Sequence, residues 1–212
     1  MPINAVLFDF GGVILSSPFE AFAHYERRVG LPEGFVRSVN ATNPHDNAWA
    51  HLERGDSTLE EFSDAFAEES AALGHRVPGS DILPLLAGEL RPAMVEAVRR
   101  CSERLTTALL TNNFVGLHDG AGGGPIDPAI AEVVGLFHVV VESSKVGVRK
   151  PDPRFYEIAL DAVGVHPAEA VFLDDLGVNL KPARELGMAT IKVTDPDLAL
   201  ADLEAIVGFP LG

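Results

Sequence analysis

The chain has 212 residues, 31 of them acidic and 16 basic, for a formal net charge of −15. Apolar residues make up 47% and charged residues 22%, which describes a folded chain and excludes a disordered one. The negative charge argues against nucleic acid and against anionic membrane surfaces, because both are held through Lys and Arg. The length suits one domain, or one domain carrying an inserted subdomain. The single cysteine, Cys101, cannot form an internal disulfide or a thiolate zinc site, and its helical neighbours mark it as a core hydrophobe. No run approaches the ~18 apolar residues of a membrane span. Met1-Pro2-Ile3-Asn4 lacks a positive n-region, so no signal peptide is expected and a cytoplasmic protein is the default.

In chain order, residues 3–8 form the first short apolar run and read as a buried strand. Residues 16–104 then carry helical patterns and no convincing strand. Within them, Ser57-Thr58-Leu59-Glu60 reads as a capping box opening a helix with Leu59, Phe62 and Phe66 on its face. Met94, Val98, Cys101 and Leu105 fall on one helical stripe. This stretch is too long for one crossover helix. It reads as a helical subdomain inserted after the first strand, with its last helix, about 92–104, returning to the core.

Four further apolar runs follow, at 105–110, 138–141, 170–173 and 189–193. Each is short and bounded by turn or helix-start signals, as parallel strands covered on both faces are. Residues 120–124, Gly-Ala-Gly-Gly-Gly, read as a flexible loop tip. Asp127-Pro128, Asp152-Pro153 and Asp195-Pro196 read as helix starts, with Asp as N-cap and Pro at the first helical position. Phe155, Ile158, Ala159, Ala162 and Val163 define the expected inner face of one helix, and Gly187 closes another. Strand and helix alternating at this spacing means α/β with a parallel sheet. The expected α/β core is 1–15 with 105–212, and the helical insert is 16–104.

Ligands of open α/β sheets bind beyond the C-terminal ends of the strands. Asp9-Phe10-Gly11-Gly12-Val13, Thr111-Asn112-Asn113 and Asp174-Asp175 stand at such ends, and Lys150-Pro151-Asp152 precedes a helix. Singly, each reads as a cap, a turn or a surface lysine. All of them in this order are much harder to obtain by chance.

Together these segments resemble the haloacid dehalogenase-like hydrolase superfamily over nearly the full chain. The residues that carry the resemblance are Val6-Leu7-Phe8-Asp9-Phe10-Gly11-Gly12-Val13, Leu109-Leu110-Thr111-Asn112, Lys150-Pro151-Asp152-Pro153 and Val171-Phe172-Leu173-Asp174-Asp175. Residues 146–151, 171–175, 179–184 and 186–188 are similar to the N-terminal phosphatase domain of soluble epoxide hydrolase. The resemblance implies a Rossmann-like sheet of strand order 5-4-1-2-3, with Asp9, Thr111 and the Asp174-Asp175 pair converging. It also implies that the helical insert is a mobile cap.

By the same resemblance, Asp9 is the nucleophile of a Mg²⁺-dependent phosphatase and forms an aspartyl-phosphate. Asp9, Asp174, Asp175 and the carbonyl of Gly11 would hold the metal, with Asp175 the more direct ligand of the Asp pair. An all-oxygen set of this kind suits Mg²⁺ better than zinc. Lys150, the Thr111 hydroxyl and the amides of Phe10 and Asn112 would hold the phosphate oxygens. The implied substrate is a small phosphorylated or otherwise anionic metabolite, and the oligomeric state stays open.

The family's phosphatases usually carry Asp two residues after the nucleophile, as general acid and base. Here that residue is Gly11. Three readings follow: a phosphatase whose proton arrives by another route, a 2-haloacid dehalogenase, or a catalytically silent phospho-ligand binder. Dehalogenase relatives need neither acid nor metal, but the Asp174-Asp175 pair would then be superfluous. In the insert, Trp49, His51 and Arg54 are the expected substrate contacts, with Arg54 suited to an anion. The other histidines show no metal-ligand spacing, and Gly11-Gly12 does not complete a dinucleotide fingerprint.

Overall fold

The computed structural model describes residues 2–112 and 127–212. The expected loop tip at 120–124, Asn113 and His118 lie outside the described residues. Five parallel strands, β1 (Ala5–Phe8), β2 (Thr106–Thr111), β3 (Val139–Glu142), β4 (Ala170–Asp174) and β5 (Ala189–Lys192), form one sheet of order β3-β2-β1-β4-β5. This is the order implied by the resemblance, read from the other edge.

The helices are α1 (Pro18–Val29), α2 (Phe35–Ala41), α3 (Ala48–Arg54), α4 (Leu59–Ala72), α5 (Gly79–Ile82) and α6 (Pro92–Ser102) before β2. After it come α7 (Pro128–Val134), α8 (Ser143–Val146), α9 (Pro153–Val163), α10 (Gly177–Glu185) and α11 (Pro196–Val207). Among the described residues no helix is long and apolar enough to cross a membrane.

The two-residue period of the strands explains the layering. Val6, Phe8, Leu109, Val171 and Leu173 face one core with α6 and α11. Ala5, Leu7, Ala108, Leu110 and Phe172 face a second core with α9 and α10. Because both faces are covered, the strands are continuously apolar rather than alternating. Cys101 is buried in the first core, and burial pushes its thiol up to about 12, which leaves it inert.

The insert has its own core, with Phe22, Tyr25, Val36, Leu52, Phe62 and Phe66 at its centre. Helix α6 packs instead with β1, β2 and β4. The chain enters and leaves the insert through two paired segments. Ser16 N donates to Glu89 O at 2.8 Å, and Arg91 N donates to Ile14 O at 2.9 Å.

Local signals mostly hold. Asp127, Asp152 and Asp195 each accept a backbone N–H at the start of their helices. Two expectations need correction. The capping box of α4 is formed by Thr58 and Glu61, one residue later than Ser57 and Glu60, because the helix begins at Leu59. The buried face of α9 is Phe155, Tyr156, Ala159 and Leu160, and Ile158 is 36% exposed. The phenol explains that rotation, since Tyr156 Oη donates to Asn179 O at 2.6 Å and draws the ring inward.

Candidate active site

Asp9 follows the central strand, and its N–H donates to Leu173 O at 2.9 Å, which sets it level with Asp174 at the end of β4. Thr111 ends β2 on the other side and is buried. The parallel register therefore assembles these side chains, since neighbouring strands terminate at one edge. Oxygens of Asp9, Asp174 and Asp175 all lie within 4.8 Å of one another. Among the described residues this is the one such group of potential metal ligands.

Lys150 reaches this cluster from the loop before α9 and is 2% exposed. Its Nζ lies 2.7 Å from Asp9 Oδ1 and 2.8 Å from Asp174 Oδ2, and it donates to Leu110 O at 2.9 Å. An ammonium has three N–H donors, so all of them are engaged. Asp174 is saturated as well. Leu176 N donates to Oδ1 at 2.8 Å, and Asn179 Nδ2 lies 3.1 and 3.0 Å from its two oxygens.

The electrostatics follow from burial. Burial pushes the Asp9 carboxyl up to about 7; Lys150 opposes this, while Asp174 and Asp175 add to it. Burial, then the charge of Asp174, pushes Asp175 up to about 6. Burial disfavours the Lys150 ammonium, but Asp174 and Asp9 outweigh it and hold the lysine above its ordinary value. One ammonium thus faces three carboxylates, and two of them hold protons unusually tightly. A hard divalent cation bound through oxygens would relieve that imbalance, so the residues fit Mg²⁺.

The turn after Asp9 depends on two glycines. Gly12 has φ of +80°, and a Cβ there would sit 2.3 Å from Asp175 Oδ2. Gly11 differs: its φ of −70° and ψ of 129° suit any residue, and a Cβ there would meet nothing within 4 Å. The missing acid was therefore not excluded by sterics.

Asn112 clasps the backbone of Lys150. Its Oδ1 accepts from Lys150 N at 2.9 Å, and its Nδ2 donates to Lys150 O at 3.0 Å. In the insert, Trp49 packs edge-on against Phe62 at 5.0 Å and belongs to the insert core. His51 Nε2 lies 3.0 Å from Asp46 Oδ1. Arg54 bonds Asp56 Oδ2, His45 O and His51 Nδ1. These contacts hold His51 and Arg54 within the insert. A cleft of about 470 Å³ opens between insert and core, walled by His45, Arg54, Arg149, Pro151 and Arg154. Its walls include Arg149 and Pro151, the two neighbours of Lys150 in the chain.

Two residues escaped the sequence reading of the site. Asn179 offers a signal, an amide five residues beyond Asp174 in the first turn of α10. Glu53 offers none. It sits in α3 yet is buried, and its Oε2 pairs with Arg149 and lies 3.4 Å from Asn112 Nδ2.

The model of the haloacid dehalogenase-like hydrolase family matches residues 3–187. The chain belongs to that hydrolase family. It is 38% identical to mouse (Mus musculus) acyl-CoA dehydrogenase family member 10 over 98% of this chain and 19% of the relative. It is 35% identical to bifunctional epoxide hydrolase 2 of Sus scrofa over 100% of this chain and 40% of the relative. The chain thus spans less than half the length of these two relatives. It is 28% identical to phosphatase MT3486 of Mycobacterium tuberculosis, over 89% of this chain and 86% of that one. Among solved structures, a Bacteroides thetaiotaomicron enzyme of the family, in complex with magnesium and inorganic phosphate, has a similar fold. The TM-score is 0.60 at 22% identity, covering 90% of this chain and 93% of that one.

Proposed function

We propose that this hydrolase is a Mg²⁺-dependent phosphatase of a small phosphomonoester, with Asp9 as its nucleophile. The observation that carries the reading is the Asp9–Lys150 contact of 2.7 Å inside the three-carboxylate cluster. A dehalogenase would need no such cluster. The relative named as a phosphatase, aligned over most of both chains, supports the same reading.

Asp9 Oδ attacks phosphorus, and the bond to the leaving oxygen breaks. Lys150 favours the ionised form of Asp9 against the burial that pushes its carboxyl up, and does so from a fixed position, because its other two donors are anchored on Asp174 and Leu110. It acts through charge on Asp9 rather than as a free phosphate ligand. Asp9, Asp175 and the Gly11 carbonyl would hold Mg²⁺, whose charge offsets that of the phosphoryl oxygens. Asp174, held by Lys150, Asn179 and the Leu176 amide, would join this set directly or through water, and it orients the lysine. The Thr111 hydroxyl and the amides of Phe10 and Asn112 receive the phosphoryl oxygens. Water then attacks phosphorus and frees Asp9.

The leaving oxygen must gain a proton, and Gly11 has none to give. General acid help is worth ~10²–10⁴-fold. Esters with stable leaving anions are therefore the best substrates, with water supplying the proton to others. The insert acts as the cap over this site. Trp49 shapes it from within the insert core, and His51 and Arg54 hold its polar edge. The absent carboxylate at Gly11 is the one feature that favours a silent phospho-ligand binder.

The test is a panel of phosphomonoesters, an activated aryl phosphate among them, with and without Mg²⁺, alongside Asp9→Asn and a 2-haloacid. Mg²⁺-dependent phosphate release that Asp9→Asn abolishes supports the phosphatase. Phosphate binding without turnover supports the silent reading, and halide release supports the dehalogenase.

A further inference from the structure

The cap is joined to the catalytic loop by buried polar bonds that the proposed mechanism does not use. Glu53 lies in α3 and Arg149 directly precedes Lys150, and their side chains form an ion pair in which both are largely buried. Arg149 Nη2 also donates to Pro44 O at 2.8 Å, so one guanidinium grips two parts of the cap. The Glu53 backbone carbonyl accepts from Ser143 Oγ at the start of α8. The next turn presses equally close. Gly55 has φ of +77°, and a Cβ there would sit 3.1 Å from Ser144 O.

The important branch runs through Asn112. Its amide N–H group is shared between Glu53 Oε2 at 3.4 Å and Lys150 O at 3.0 Å. A carboxylate accepts and never donates. Glu53 therefore fixes which end of the amide faces it, and so presents Asn112 Oδ1 to Lys150 N at 2.9 Å. A flipped amide would lose both bonds to the Lys150 backbone.

We infer that Glu53 is a positioning residue for Lys150, acting from the cap through Asn112 and Arg149. On this view α3 is a fixed abutment of the active site, and any opening of the cap breaks the Glu53 contacts and loosens the lysine. The inference rests on the catalytic role proposed for Lys150.

Removing Glu53 alone would strand a buried guanidinium and destabilise the fold for an unrelated reason. The informative variant is Glu53→Leu combined with Arg149→Met, which removes both charges and keeps the bulk. The expected result is a melting temperature close to that of the wild type. With it, kcat on an activated aryl phosphate falls at least tenfold and KM is little changed, because a misplaced lysine affects turnover more than binding. Adding Asn112→Ala to the pair should lower kcat further, since it removes the two bonds that hold the Lys150 backbone directly. Wild-type kcat in the double variant overturns the inference.

A second measurement does not depend on activity. Amide hydrogen exchange across the loop carrying Lys150 should quicken in the double variant; unchanged exchange overturns the inference. If the wild type shows no Asp9-dependent turnover, the phosphatase reading fails on that ground. The exchange result then decides the positioning role by itself.

Discussion

Gly12 lies so close to Asp175 that a Cβ added to it would sit 2.3 Å from Oδ2. Glycine here serves two needs, the φ of +80° and the room that the Asp175 carboxylate occupies. Gly12→Ala should push Asp175 out of place and cost ~1–2 kcal/mol for the left-handed backbone alone. The expected outcome is a folded protein with weakened Mg²⁺ binding, measured by titration calorimetry. Unchanged affinity would separate Asp175 from the metal site.

Gly11 is the opposite case, with an ordinary φ and open space at its Cβ position. Gly11→Asp should fold and restore a proton donor. Turnover of an alkyl phosphate should rise by up to ~10²-fold, and turnover of an activated aryl phosphate by much less. The ratio of the two kcat values is the measurement. An equal rise for both would show that leaving-group protonation is not the limiting step.

Lys150 neutralises Asp9 and Asp174 from a buried position. Lys150→Met leaves two carboxylates close together without their shared cation. Breaking a buried pair from one side costs ~3–5 kcal/mol. Chemical denaturation should show a loss of that order, and phosphate release should fall to background.

The pH dependence follows from Asp9 at about 7 and Asp175 at about 6. Both lie above the unfolded value of about 4, so the folded state holds these protons more tightly. The stability that they contribute is present below about pH 4 and is lost as pH rises towards 7. Mg²⁺ at the proposed site would require the deprotonated carboxylates, so its affinity should grow through the same range. Thermal melts without metal should show lower stability at pH 8 than at pH 5 from this source. The upshift on adding Mg²⁺ should be small at pH 5 and larger at pH 8. An upshift that shrinks with pH would contradict the assigned site.

Much of this was legible in the sequence for a physical reason. Parallel strands are buried on both faces, so their apolar runs are short, and the polar residue ending each run is conspicuous. Asp9, Thr111 and Asp174 stand out in that way. What failed depends on contacts between distant residues. The inward face of α9 turns on a hydrogen bond from Tyr156 to Asn179. The role of Glu53 turns on Arg149, which lies far along the chain and has an ordinary local context. No periodicity links the two. In α3, Trp49, His51 and Arg54 have side chains whose chemistry is recognisable in isolation, whereas Glu53 looks like an ordinary helix-surface acid until its burial is known.

The central claim is that Asp9 attacks phosphorus. Rapid acid quench of an Mg²⁺-loaded turnover with an activated aryl phosphate, followed by peptide mass analysis, tests it directly. The account predicts a phosphoryl group on the peptide containing Asp9, appearing and decaying within one turnover and absent in Asp9→Asn. Steady phosphate release with no phosphorylated Asp9, or undiminished release by Asp9→Asn, would contradict it.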